Sequence, residues 1–107
     1  MPANVRFARQ AVEDLDQIGE HLSSTLGPRL AIQTVEKIKK RSKTLKSFPD
    51  RGHLTPEMER LGLFDYLEIH EGPYRIIYQI MDGGVIIHAI LDGRRDVHSV
   101  LHERLIR

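Results

Sequence analysis

The sequence predicts an α+β fold. An N-terminal strand and a helical hairpin pack on a mainly antiparallel sheet, in the order β-α-α-β-β-β-α. Three observations lead there. From Ala8 to Ser47 apolar residues recur every three or four positions, broken once at Gly27-Pro28. From Phe64 to Leu91, β-branched and aromatic runs are separated by Gly-Pro and Asp-Gly. The chain has 107 residues, which suits one domain around a single modest core.

Each element follows from its residues. Ala3–Phe7 carries Val5 and Phe7 on alternate positions and reads as a short edge strand. From Ala8 to Leu26 a helix aligns Val12, Leu15, Ile18 or Gly19, Leu22 and Leu26 on one stripe. Glu13 and Asp14 are expected in its first turn, where carboxylates suit the positive end of the helix dipole. Gly27 closes this helix and Pro28 opens the next, since glycine caps a C-terminus and proline suits a first turn. The second helix runs to Ser47, with Ala31, Val35, Ile38, Leu45 and Phe48 inward and Ser42 in the same stripe. The two make an αα-hairpin.

Pro49–Gly62 has two prolines, two glycines and no clean period, so it reads as a loop. Its Met58 and Leu61, with Leu63 just beyond, are expected to tuck against the core. Phe64–His70 is strand-like, and Gly72-Pro73 turns it into Tyr74–Met81. Asp82-Gly83-Gly84 then leads into Val85–Leu91, and Asp-Gly between two such runs is a strong hairpin signal. From Asp96 a last helix gathers Val97, Val100, Leu101 and Leu105 on one side.

Composition narrows the function classes. There is no cysteine, which removes disulfide and thiolate-metal chemistry and fits a reducing cytoplasm. No apolar run approaches the roughly 20 residues of a membrane span, and MPANVRFARQ lacks the apolar centre of a signal peptide. A soluble intracellular protein is expected. Net charge is only +1, but it is segregated: six of the ten residues in Lys37–Lys46 are basic and none is acidic. That run is either a solvated helix face or an approach surface for nucleic acid through Lys37, Lys39, Lys40, Arg41 and Lys43.

Alternation on Tyr74–Met81 puts Arg75, Ile77, Gln79 and Met81 on one face and Tyr74, Ile76, Tyr78 and Ile80 on the other. One face must carry the helices, leaving the other partly open. An arginine in an apolar strand is costly to bury unpaired, so Arg75 either meets a carboxylate such as Glu68 or lies in an open groove. Arg94 and Arg95 follow Gly93 at the corner between sheet and last helix. There they either present planar forks to an anion or are neutralised by Asp92 and Asp96. Asp96 is also placed to cap the helix.

Six histidines are present. His98 and His102 stand one helical turn apart, but spacing supplies no third ligand, so no metal site is expected. His70 or His98 beside Arg75 and Arg95 would make a set able to cleave RNA. A base removes the 2′-hydroxyl proton, an acid protonates the leaving oxygen, and guanidinium groups stabilise the pentacoordinate charge. The other reading gives each histidine a solvated or structural role. No Ser-His-Asp set, P-loop or dinucleotide motif occurs.

In this order and length, Ala11-x-x-Asp14-Leu15-x-x-Ile18, Gly27 at the helical turn, Phe48-Pro49, and YRIIYQI followed by ILDGRRD resemble the RelE/ParE superfamily of toxins over nearly the whole chain. The resemblance implies the toxin of a type II toxin–antitoxin system, made with an antitoxin whose extended C-terminal segment wraps it. RelE-like members cut mRNA in the ribosomal A site, and ParE-like members poison DNA gyrase. The RelE arginines match Arg75 and Arg95. Its lysines before the hairpin are replaced by Glu68 and His70 or their neighbours, and the last helix holds His98, Leu101 and His102 but no tyrosine. The long helical hairpin, the GRRD corner and the terminal helix are closer to ParE.

The leading expectation is therefore a ParE-like gyrase poison that contacts its target through Arg94, Arg95 and Asp96. One alternative is a metal-independent, ribosome-dependent mRNA endonuclease using Arg75, Arg95, His70 and His98. The other is a non-toxic nucleic-acid-binding relative. The expected partners are a cognate antitoxin in a heteromeric complex, and gyrase or the ribosome with mRNA. No cofactor, metal or membrane is expected. An exposed strand edge and an apolar groove would invite an added strand or helix from the antitoxin.

Overall fold

The computed structural model describes residues 4–106. Ala3, the first residue of the expected edge strand, lies outside them. β1 (Asn4–Phe7) pairs in parallel with β4 (Gly84–Asp92), which pairs antiparallel with β3 (Tyr74–Met81), and β3 with β2 (Tyr66–Glu71). The sheet order is β1-β4-β3-β2, so the hairpin β3–β4 is its centre, as the sequence implied. Asp82 and Gly83 form its turn with φ of 50° and 73°. Positive φ at both central residues is the requirement of a type I′ turn, which explains the Asp-Gly pair.

α1 (Arg9–Leu26) and α2 (Pro28–Lys43) cover one face. Ala11, Leu15, Ile38 and Leu45 pack there with Ile69, Tyr74, Ile76, Tyr78, Val85, Ile87 and Ile90. The α1 stripe keeps the expected Leu15, Ile18 and Leu22 but differs at its two ends. Ala11 is buried whereas Val12 and Leu26 are 45% and 60% exposed. β1 hands over directly at Ala8, the helix begins at Arg9, and Ala11, Leu15, Ile18 and Leu22 face inward. Asp14 accordingly sits beyond the first turn and faces the core. α2 stops at Lys43 and tightens into a 3-10 turn over Thr44–Lys46, which leaves Phe48 64% exposed past its end.

The other face is not open. Pro49–Gly62, expected as a loop, contains a 3-10 turn (Pro49–Arg51) and α3 (Pro56–Leu61). The helix has ordinary signals: Thr55 accepts from the Met58 N–H at 3.3 Å, Pro56 occupies the first turn, and Gly62 ends it with φ 71°. Met58, Leu63, Ile77, Ala89 and Leu91 form a second core with Val97 and Leu101 of α4 (Val97–Leu105). The expected roles of Met58, Leu63, Val97 and Leu101 therefore hold, and Leu61 is half-buried beside them.

A β-bulge lets β4 serve both cores. Ile77 pairs with Ala89 while Tyr78 pairs with Ile87, so His88 is the extra residue. Val85 and Ile87 face the helical hairpin before it, and Ile90 does so after it, with Ala89 and Leu91 on the opposite face. Because side chains alternate with period two, one inserted residue exchanges the faces. Burial holds the His88 imidazole below its usual pKa, and its Nε2 lies 3.1 Å from Gln79 Oε1.

Candidate functional site: two arginine clusters at one end of the sheet

β3 brings Arg75 onto the face covered by α3. Its Nη1 and Nη2 each donate to Glu57 at 2.9 Å, and its Nε donates to Glu68 Oε1 at 2.7 Å. The Arg75 side chain is 16% exposed and that of Glu68 only 2%. Of the two sequence readings of Arg75, pairing with Glu68 is the one observed. A bidentate fork plus a third bond offsets the cost of burying the charges. The Arg75 fork holds Glu57 down at about 2, despite partial burial that pushes the other way, and the guanidinium pKa is raised in turn. The second oxygen of Glu68 lies 2.6 Å from His70 Nε2. His53 completes the group, with its ring edge-on to that of His70 at 5.6 Å.

Arg94 and Arg95 follow Gly93, which lies against the Arg75 stem. Asp92 accepts from the Arg94 backbone N–H at 2.9 Å and from its guanidinium at 3.0 and 2.7 Å. These bonds, the side-chain pair first, hold the Asp92 carboxyl at about 2. Asp96 caps α4, accepting from the Ser99 N–H at 3.1 Å and from its hydroxyl at 2.8 Å. Direct pairing with an aspartate is thus observed for Arg94. The Arg95 guanidinium has no hydrogen bond or ion pair among the described residues. It lines a cleft of about 250 Å³ with Gln17, Ile18, His21, Tyr74 and Asp92.

The floor of this cleft includes Asp14, whose role sequence reading misses. Asp14 is 4% exposed and takes a fork from Arg104 of α4 at 2.7 and 2.6 Å. It also accepts from the Ile90 N–H at 2.9 Å. α1, β4 and α4 are therefore tied at one carboxylate. No local signal marks a pair 90 residues apart. Glu57 is missed for a different reason: it lies in α3, within the segment that reads as a loop.

The four residues of the nuclease reading divide. Arg75 and His70 share Glu68, and Arg95 lies in the cleft. His98 is half-buried in α4, with no hydrogen bond or ion pair to the other three among the described residues. The basic run faces outward over α2 and is partly committed. Arg41 Nε donates to the His70 carbonyl at 3.0 Å, and Lys39 stands 3.9 Å from Glu36. Lys37, Lys40 and Lys43 are exposed.

A sequence profile described as the ParE toxin of type II toxin–antitoxin systems, parDE, matches residues 5–97. The chain belongs to this ParE toxin family. No curated protein matches it. Among solved structures it resembles the chromosomal ParDE toxin–antitoxin system of P. aeruginosa, with TM-score 0.68 and 20% identity over 82% of this chain and 92% of that one. It also resembles a free E. coli RelE carrying two arginine-to-alanine changes, with TM-score 0.65 and 16% identity over 100% of both chains. A third is the RelBE2 toxin–antitoxin complex of Mycobacterium tuberculosis, with TM-score 0.57 and 25% identity over 86% of this chain and 92% of that one. The two likenesses at 20% and 16% carry the fold, which is the expected RelE/ParE one. In this ParE-family toxin no described helix is long and apolar enough to cross a membrane.

Proposed function

We propose that this toxin inhibits growth in the ParE manner, by trapping DNA gyrase on DNA in the cytoplasm, and that a cognate antitoxin neutralises it in a heteromeric complex. The observation that carries the reading is the engagement of Arg75. A nuclease needs this guanidinium free to meet charge on a phosphorane, yet here all three nitrogens bond carboxylates. Arg95 is the open guanidinium at the corner, in a cleft suited to a carboxylate or backbone oxygen of a protein. On this reading Arg94, Arg95 and Asp96 are a binding surface and no bond is cleaved by the chain.

The ribosome-dependent endonuclease stays as the second reading for one reason: the half-exposed His70 ring is oriented by a buried carboxylate, as a general base would be. Expression without an antitoxin separates the two. The gyrase reading expects arrest, a DNA-damage response and covalent gyrase–DNA complexes, with mRNA intact. Codon-positioned cuts in translated mRNA, lost in Arg75→Ala or Arg95→Ala, would replace it with the nuclease. Undiminished growth would leave a non-toxic relative that uses its lysine-rich helix.

A further inference from the structure

We infer that His53, Glu68 and His70 form a binding site for a divalent transition metal of the zinc class, which would clip the Gly52–Thr55 segment to the edge strand β2. One ligand atom from each residue lies within 4.8 Å of the other two. Two imidazoles and one carboxylate are the donor set that zinc favours when a fourth position is left open. Zinc bonds to such ligands are about 2.0–2.1 Å, so tetrahedral ligand atoms stand roughly 3.3 Å apart. His70 Nε2 and Glu68 Oε2, now at 2.6 Å, must open by about 0.7 Å to reach that spacing, and His53 must swing inward. Both movements belong to accessible rings: His53 is exposed and the His70 side chain is 52% exposed.

The carboxylate is the fixed member. Glu68 is held by the Arg75 N–H on its other oxygen, the outer hydrogen bond that a ligating carboxylate ordinarily has. The nearby guanidinium does not repel the cation outright, because Arg75 is shared by two carboxylates and the group Glu57–Arg75–Glu68 carries a net negative charge. The backbone is also in place. His53 and Glu68 already exchange both amide bonds, at 3.1 and 2.9 Å, so the loop and strand need no rearrangement. Sequence spacing offers only the pair His98 and His102, which lacks a third ligand, and so predicts no metal site. His53 and His70 are brought together only by the loop folding back on β2.

The test is independent of the gyrase reading, because it measures binding and not growth. The full chain, made by cell-free translation, is titrated with zinc by calorimetry, and with cobalt(II) for the visible absorption of a tetrahedral site. The expected result is saturation at one metal per chain and a higher thermal midpoint by mass action. His53→Ala keeps the backbone bridge and should weaken binding by at least about tenfold, as should His70→Ala. His98→Ala and magnesium should change nothing. Absence of binding in excess zinc, binding unmoved by His53→Ala, or loss of binding in His98→Ala would each overturn the site.

Discussion

Arg75 and Arg95 lie at the same end of the sheet, yet they have opposite fates. A Cβ on Gly93 would stand 3.5 Å from Arg75 Cδ, so the chain that leads into Arg94 and Arg95 passes directly beside the Arg75 stem. Arg75 projects from a central strand under α3 and is enclosed by Glu57 and Glu68. Arg95 projects from a corner with no strand beyond it and stays unpaired. The difference teaches that an arginine matching a motif position is available for chemistry only if the elements packed over it supply no carboxylate. Here the element that supplies one is the short helix α3.

The comparison breaks or holds at its buried side first. Arg75→Ala takes the fork from Glu57 and leaves buried Glu68 with only His70 beside it, and should lower unfolding free energy by about 3–5 kcal/mol, measured by denaturant titration. A loss below about 0.5 kcal/mol, the range of an ordinary surface change, would mean that Arg75 is not committed to the fold. Asp14→Ala tests whether burial or mere position sets the cost. It removes the Arg104 fork and orphans the Ile90 N–H, so a loss of about 3–5 kcal/mol is expected, with faster hydrogen exchange in α4.

Acid sharpens the contrast further. Glu57 has its folded pKa depressed to about 2 from 4.5. Its contribution is therefore full above the unfolded value and is lost as pH falls through the folded one. Stability should fall between those values, and Glu57→Gln should flatten that part of the curve while lowering stability at neutral pH. At the exposed corner the effects on folding should be smallest. Arg94→Ala removes a pair with Asp92 in which the arginine side chain is 83% exposed, and should lower stability far less than either buried substitution. Arg95→Ala should leave stability within about 0.5 kcal/mol and yet relieve growth arrest. Arrest that persists in a folded Arg95→Ala protein would remove the corner from target recognition.

Most of the fold was legible because its signals are local. Gly27-Pro28, Asp82-Gly83 and Asp96 each mark a boundary through backbone conformation or a cap within a few residues. The segment Pro49–Gly62 was misread although Thr55, Pro56 and Gly62 spell a helix, because a six-residue helix has too little period to stand out among prolines and glycines. That one misreading concealed Glu57 and the contacts of His53, and made the second face of the sheet look open.

The sequence by itself determined the order of elements, the central hairpin, the αα-hairpin and the family resemblance, since periodicity and turn chemistry are written over short stretches. Tertiary structure alone decided which charged groups are spent. Asp14 meets Arg104 across 90 residues, and Glu57 meets Arg75 across 18. Such pairs depend on which helix lands on which face, and that is set by the core packing beneath them rather than by neighbours in the chain. Arg95 is left without a direct partner for the same reason: the carboxylates that line its cleft, Asp14 and Asp92, are already forked by Arg104 and Arg94.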